Sequence, residues 1–229
     1  MNSLLFNFLR NPSGYEFIDV IVGLLSSLAV IFITMPVHEF AHAYAATRLG
    51  DPTPKYSGRL SINPINHIDY IGALCIILFG FGWAKPVGVN PRNFRDVKRG
   101  MAITALAGPL SNIVMAFIIT FAAYSIYSVY YHIAHLTFIY LIADFLYYIA
   151  YINVSLAVFN LIPIPPLDGS RILGVILPDQ IYYKLMQYER YLYYAVLALI
   201  ILGALDRPLG FLVSKLMGII TLIPEILFF

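Results

Sequence analysis

Residues 18–50 read IDVIVGLLSSLAVIFITMPVHEFAHAYAATRLG. The first half is an apolar run long enough to cross a membrane as a helix, which takes about 20 residues at 1.5 Å rise each. The second half keeps the same span going through Leu49 but carries Pro36, His38, Glu39, His42 and Arg48. Ionisable side chains at membrane depth are expensive and by default mark function. On a helix, His38 and His42 stand at i and i+4, so both imidazoles leave one face and can chelate one ion. Glu39 lies on the adjoining surface, within reach of a metal-bound water as a general base. Neutral imidazole suits Zn²⁺. A pair of structural histidines inside a bundle is the competing reading of the motif.

Outward from this stretch the chain stays apolar. Of its 229 residues 60% are hydrophobic and 11% charged, with mean hydropathy +0.80. A water-soluble domain has no use for so much apolar surface, which makes the chain an integral membrane protein. Beyond Ile18–Leu49, the runs Met101–Tyr130, Ile139–Leu161, Tyr191–Leu205 and Leu209–Phe228 are candidate spans. Ile71–Phe81 is too short to cross and reads as a re-entrant or tilted element between irregular stretches rich in Gly, Pro and Asn. Within those stretches Arg59–Ile62 and Pro86–Val89 alternate like short strands. The expected fold class is therefore an all-α polytopic membrane protein. It has about five to six transmembrane helices, a re-entrant segment and small membrane-associated β strands. No insert is long enough for a second domain, which needs about 50 residues, so residues 1–229 are expected to form a single domain.

Charge sets the expected orientation. Arg48, Lys55, Arg59, Lys85, Arg92, Arg95, Lys98 and Arg99 all fall between the first and second long spans, and the connection YHIAHLTF after the second has no Lys or Arg. The positive-inside rule makes 48–100 cytoplasmic, together with the segment holding Arg171, Lys184 and Arg190, and leaves the N-terminus outside. The opening residues show no basic region or cleavage site of a secretory leader. The net charge of +2 gives no reason to expect nucleic acid. Cys75 is the single cysteine, which excludes an internal disulfide and a cysteine metal site.

A catalytic zinc usually has three protein ligands and an open position. The cytoplasmic end of the third span, NLIPIPPLDGSRI at 160–172, breaks its helix with prolines and then presents Asp168, with Gly169 free to adopt an unusual turn. The topology puts this carboxylate on the same side as the histidine pair. It is either the third ligand or the cap of a short helix Arg171–Leu177; the histidine motif favours the ligand. His67 and Asp69, in INPINHIDY, are candidates for a water path or for supporting the zinc ligands, or belong to an interfacial loop. His132 and His135 lie in the opposite connection without a third ligand nearby. Asn153-Val154-Ser155 fits a glycosylation pattern but falls inside a span. Tyrosines near 124–131, 147–151 and 182–194 read as interfacial belts.

HEFAH (38–42), GPLSN (108–112) and NLIPIPPLDG (160–169), with INPINHIDYIG and GWAKPVGVNPRNF between them, resemble the site-2 protease family of intramembrane zinc metalloproteases. The likeness is closest to its minimal prokaryotic members without PDZ or CBS domains. It implies Zn²⁺ held by His38, His42 and Asp168, with Glu39 as the base. It places Gly108 and Asn112 beside the site, Asn160 ahead of the proline-rich turn, and transmembrane proteins as substrates in the bilayer. Asn112 and Asn160 are then candidate donors to a substrate backbone or oxyanion, or else simple packing groups. Two other functions use the same residues: a divalent-cation transporter, which has no need of Glu39 as a base, and a catalytically silent membrane scaffold.

Overall fold

A computed structural model describes residues 17–79 and 82–229. Residues 1–16, on which the expectation about a secretory leader rests, and the Gly80–Phe81 end of the short apolar piece lie outside the described residues. Helix α1 (Phe17–Ala29) runs through a π turn (Val30–Thr34) into α2 (Met35–Arg48). There follow α3 (Thr53–Tyr56), α4 (Tyr70–Phe79), α5 (Val97–His132), α6 (Thr137–Asn160), α7 (Gly169–Ile176), α8 (Asp179–Gln187), α9 (Glu189–Ile201) and α10 (Asp206–Phe228).

The π turn sits directly ahead of Pro36. That residue has no N–H and its ring crowds the carbonyl four residues back. Widening the helix by one residue, with the Met35 N–H donating to the Val30 carbonyl, lets one helix of 32 residues run from Phe17 to Arg48. The disturbance that Pro36 demands takes this form.

Four helices are long and apolar enough to cross a membrane: Phe17–Arg48, Val97–His132, Thr137–Asn160 and Asp206–Phe228. The expected span Tyr191–Leu205 is not among them. Its helix, α9, has 13 residues, about 20 Å, and ends in turns at 202–205. Beside the expected five to six crossings, the described residues hold four helices that meet the length and composition of a span. The expected strands are also absent there: Arg59–Ile62 and Pro86–Val89 are irregular, with no ladder partner.

Helix α6 is the axis of the molecule. One of its faces joins Ala116 of α5, Val196 of α9 and Val213 and Met217 of α10; another joins Val30, Ile31 and Met35 of the first helix and Ile76 of α4. Ala143, Ala150 and Ala157, seven residues apart, are fully buried. Small side chains at that spacing let neighbouring backbones approach, the usual basis of helix packing in lipid. Large apolar side chains such as Ile33, Val114, Phe138 and Ile219 stay exposed, as lipid-facing residues do. Helix α10 ends beside the end of α5, where Phe228 packs on Phe121 and Phe229 on Tyr124 and Tyr131.

Candidate metal centre

One helical turn apart on α2, His38 and His42 are buried, and their rings meet edge to face at 4.6 Å. Their Nε2 atoms are 3.0 Å apart. From beyond the end of α6, Asp168 brings Oδ2 to 3.5 Å from Nε2 of His38 and 3.3 Å from Nε2 of His42. Asp168 occupies the N-cap position of α7, yet its side chain makes no capping hydrogen bond. The carboxylate is turned to the imidazoles instead, and that excludes the capping reading. Burial by itself would raise the Asp168 carboxyl, but the facing His42 and His38 hold it well below the usual carboxylate range.

The tautomer of His42 follows from its second nitrogen. Nδ1 lies 2.7 Å from the Thr104 carbonyl, which can only accept, so Nδ1 carries a proton, and in the neutral imidazole Nε2 then presents the lone pair. Two imidazole nitrogens and a carboxylate oxygen that converge in this way repel one another unless a proton or a metal cation lies among them. The spacing fits a metal ion. Tetrahedral zinc with N and O ligands at about 2.0–2.2 Å requires ligand-to-ligand edges of about 3.3 Å, and the observed edges are 3.0, 3.5 and 3.3 Å.

The opposite wall is α5, where Thr104, Gly108 and Asn112 follow at i, i+4 and i+8 on one face. A Cβ on Gly108 would lie 2.3 Å from Nε2 of His42 and 2.6 Å from Cε1 of His38. Only a residue without a side chain leaves room for the pair. Gly169 is needed for a similar reason: a Cβ there would meet the Leu161 carbonyl oxygen at 2.3 Å. Its φ is not positive, so the expected unusual turn is in fact a close backbone approach.

Glu39, Asn112 and Asn160 line the same cavity as the three converging groups, about 440 Å³ in volume. Asn112 is buried, and its amide nitrogen has no hydrogen-bond partner among the described residues. His67 and Asp69 stand apart from that cavity. Asp69 caps α4 by accepting from the Ile71 and Gly72 N–H groups. His67 is buried with Nε2 donating to the Ser61 carbonyl. Asn153 is fully buried, as its place inside a span requires.

Three features escaped the sequence. The Thr104 carbonyl orients His42, but a backbone group leaves no side-chain signature. Arg171 lines the cavity one turn beyond Asp168 and pairs with Glu189 at 3.4 Å; its i+3 spacing from Asp168 was the available signal. Asp51, three residues beyond α2, is buried and heavily bonded, and an acid following a helix end gives little warning of that.

Residues 125–203 match a family model described as Peptidase family M50. Over 181 residues the chain is 37% identical to "Putative zinc metalloprotease YwhC" of Bacillus subtilis (strain 168), which covers 79% of this chain and 80% of that protein. Over 197 residues it is 32% identical to "Putative zinc metalloprotease Rip2" of Mycolicibacterium smegmatis, covering 83% of this chain and 70% of the other. No solved structure matches the chain.

Proposed function

The chain belongs to peptidase family M50, the site-2 protease family, and from that premise we propose that this multi-pass membrane metalloprotease is an intramembrane zinc endopeptidase. Its substrates are peptide bonds in or near transmembrane segments of other membrane proteins. The observation that carries the proposal is the triangle of His38, His42 and Asp168 donor atoms, whose edges suit a tetrahedral divalent ion, with Glu39 on the wall of the same cavity.

Held by His38, His42 and Asp168, zinc would supply a Lewis acid able to acidify a water and polarise a peptide carbonyl. The remaining work belongs to side chains. Glu39 accepts the proton of the attacking water and returns it to the leaving amine. Asn112 and Asn160 offer amide donors to the substrate carbonyl as charge develops on its oxygen. A substrate helix hides its carbonyls in internal hydrogen bonds, so it must unwind before it can be cut. The irregular segment Pro86–Val89 is suited to hold the unwound stretch. Pro86, Val87 and Val89 line the cavity, and the backbone N–H groups of Val87, Gly88 and Val89 make no hydrogen bond among the described residues. Such an edge can pair with an extended peptide. Residues 58–62 are less suited: the Arg59 N–H donates to the Pro54 carbonyl and the Ser61 carbonyl accepts from His67. Residues 1–229 work as a single domain, with α4 and the irregular segment forming a re-entrant hairpin. The N-terminus lies outside and the cavity opens toward the cytoplasm, as the lysines and arginines around it require.

The test compares purified wild type with Glu39→Gln and Asp168→Ala for bound zinc and for cleavage of single-span peptides. Glu39→Gln retains the metal while kcat falls about 10²–10⁴-fold; Asp168→Ala loses both. A Glu39→Gln protein that cuts at the wild-type rate removes the hydrolytic role of Glu39, and one that moves metal across a membrane unimpaired favours transport.

A further inference from the structure

No helix or strand holds the segment that walls the cavity at 82–89, so its position relative to the metal centre rests on its contacts with the segments around it. At one end the Lys85 N–H donates to the His67 carbonyl at 2.7 Å. At the other the Asn90 N–H donates to Oδ2 of Asp51, also at 2.7 Å. The second oxygen, Oδ1, accepts from Nδ2 of Asn93 at 2.7 Å, from the Thr53 hydroxyl at 2.6 Å and from the Thr53 N–H at 3.1 Å.

Asp51 is fully buried, at 0% exposure, and no ion pair involves it among the described residues. A buried carboxylate without a cation is tolerated only when several donors converge on it. Here four donors come from two chain segments. One is Thr53, at the start of α3 just past α2; the other is the 90–93 turn that follows the irregular segment. The carboxylate therefore links the end of the histidine helix to the open backbone edge, one residue from Val89.

We propose that Asp51 is a positioning residue for the substrate: it fixes the register of the Val87–Val89 edge against the metal centre and so selects which peptide bond is cut. This rests on the edge pairing set out above. An extended strand advances about 3.4 Å per residue, and a slip of one residue turns every side chain to the other face. A loosened anchor thus presents neighbouring peptide bonds to the same metal and weakens binding, while the ligands, which Asp51 does not touch, stay in place.

The experiment uses the full chain in proteoliposomes, with a single-span peptide as substrate. It reads zinc per chain, Tm, kcat and KM, and product masses. Asp51→Ala keeps its zinc, raises KM about tenfold with kcat changed far less, as expected for a lost binding contribution, and spreads cleavage over adjacent bonds. Asp51→Asn, which keeps one acceptor oxygen, cuts mainly at the original bond. Asn93→Ala removes a single donor and gives a milder spread, which keeps the test available if Asp51→Ala fails to fold. The control is Asp96→Ala: Asp96 caps α5 through the Arg99 N–H, so its loss lowers Tm without moving the cleaved bond. The proposal is overturned if Asp51→Ala and Asn93→Ala cut the single wild-type bond with unchanged KM, or lose zinc. Val87→Pro separates the two ideas. Unchanged KM and cleavage position in Val87→Pro overturn edge pairing itself; raised KM there, with Asp51→Ala and Asn93→Ala normal, overturns the role of Asp51 alone.

Discussion

At Gly108 a single missing carbon keeps the metal centre open. The His38 and His42 rings occupy the volume that any side chain on this turn of α5 would take, and neither ring can retreat, since both are buried and Nδ1 of His42 is tied to the Thr104 carbonyl. Gly108→Ala therefore sets a methyl group against both ligand imidazoles and distorts the ligand triangle. Its zinc affinity is expected to fall about 10–100-fold, the range seen when ligand orientation is disturbed, while helical content is retained; zinc titration with circular dichroism checks both. Sequence reading reached this residue only through a motif resemblance. The physical reason for it is a contact between two helices that no single segment contains.

Among the elements, the helix 17–48 joins an apolar anchor to the face that carries the ligands, with a π turn between them. A π turn holds one residue more than an α turn, so removing one residue from it leaves an ordinary α turn and preserves the facing of both flanks. Deleting Phe32, which is half exposed, together with Pro36→Ala to relieve the proline ring, is expected to keep zinc at one per chain. Deleting Val37 instead rotates the face beyond it by about 100° and separates His38 and His42 from Asp168. Zinc should drop to a small fraction of wild type with helicity unchanged. Equal zinc content in the two deletions would contradict this account of the turn.

For the whole molecule, the place of Tyr191–Leu205, one of the expected five to six spans but a helix of 13 residues, decides where the C-terminal helix points. Phe228 and Phe229 pack against Phe121, Tyr124 and Tyr131 near the end of α5, so α5 and α10 finish at the same end. A fifth crossing at Tyr191–Leu205 would have reversed α10. In a Cys75→Ser background, Ile133→Cys and Phe229→Cys are expected to react with an impermeant maleimide from one face of sealed vesicles, and Tyr183→Cys from the other. Labelling of Ile133→Cys and Phe229→Cys from opposite faces would restore the fifth span. Helix α9 supplies Tyr193, Val196, Leu197 and Ile200 to the wall of the cavity.

The sequence by itself determined what depends on neighbours along the chain. The i, i+4 histidines with their glutamate, the lengths of four long apolar runs and the asymmetry of lysine and arginine are all periodic or local, and the structure keeps the runs as helices. One local pattern misled: the alternation at 59–62 and 86–89 found no partner strand among the described residues. Only the tertiary structure decided that Asp168 turns away from its own helix toward the imidazoles, that a carbonyl of α5 orients His42, and that Asp51 fastens two turns distant in the chain. Those facts come from packing between segments far apart in sequence, through backbone atoms and empty space that no residue letter records.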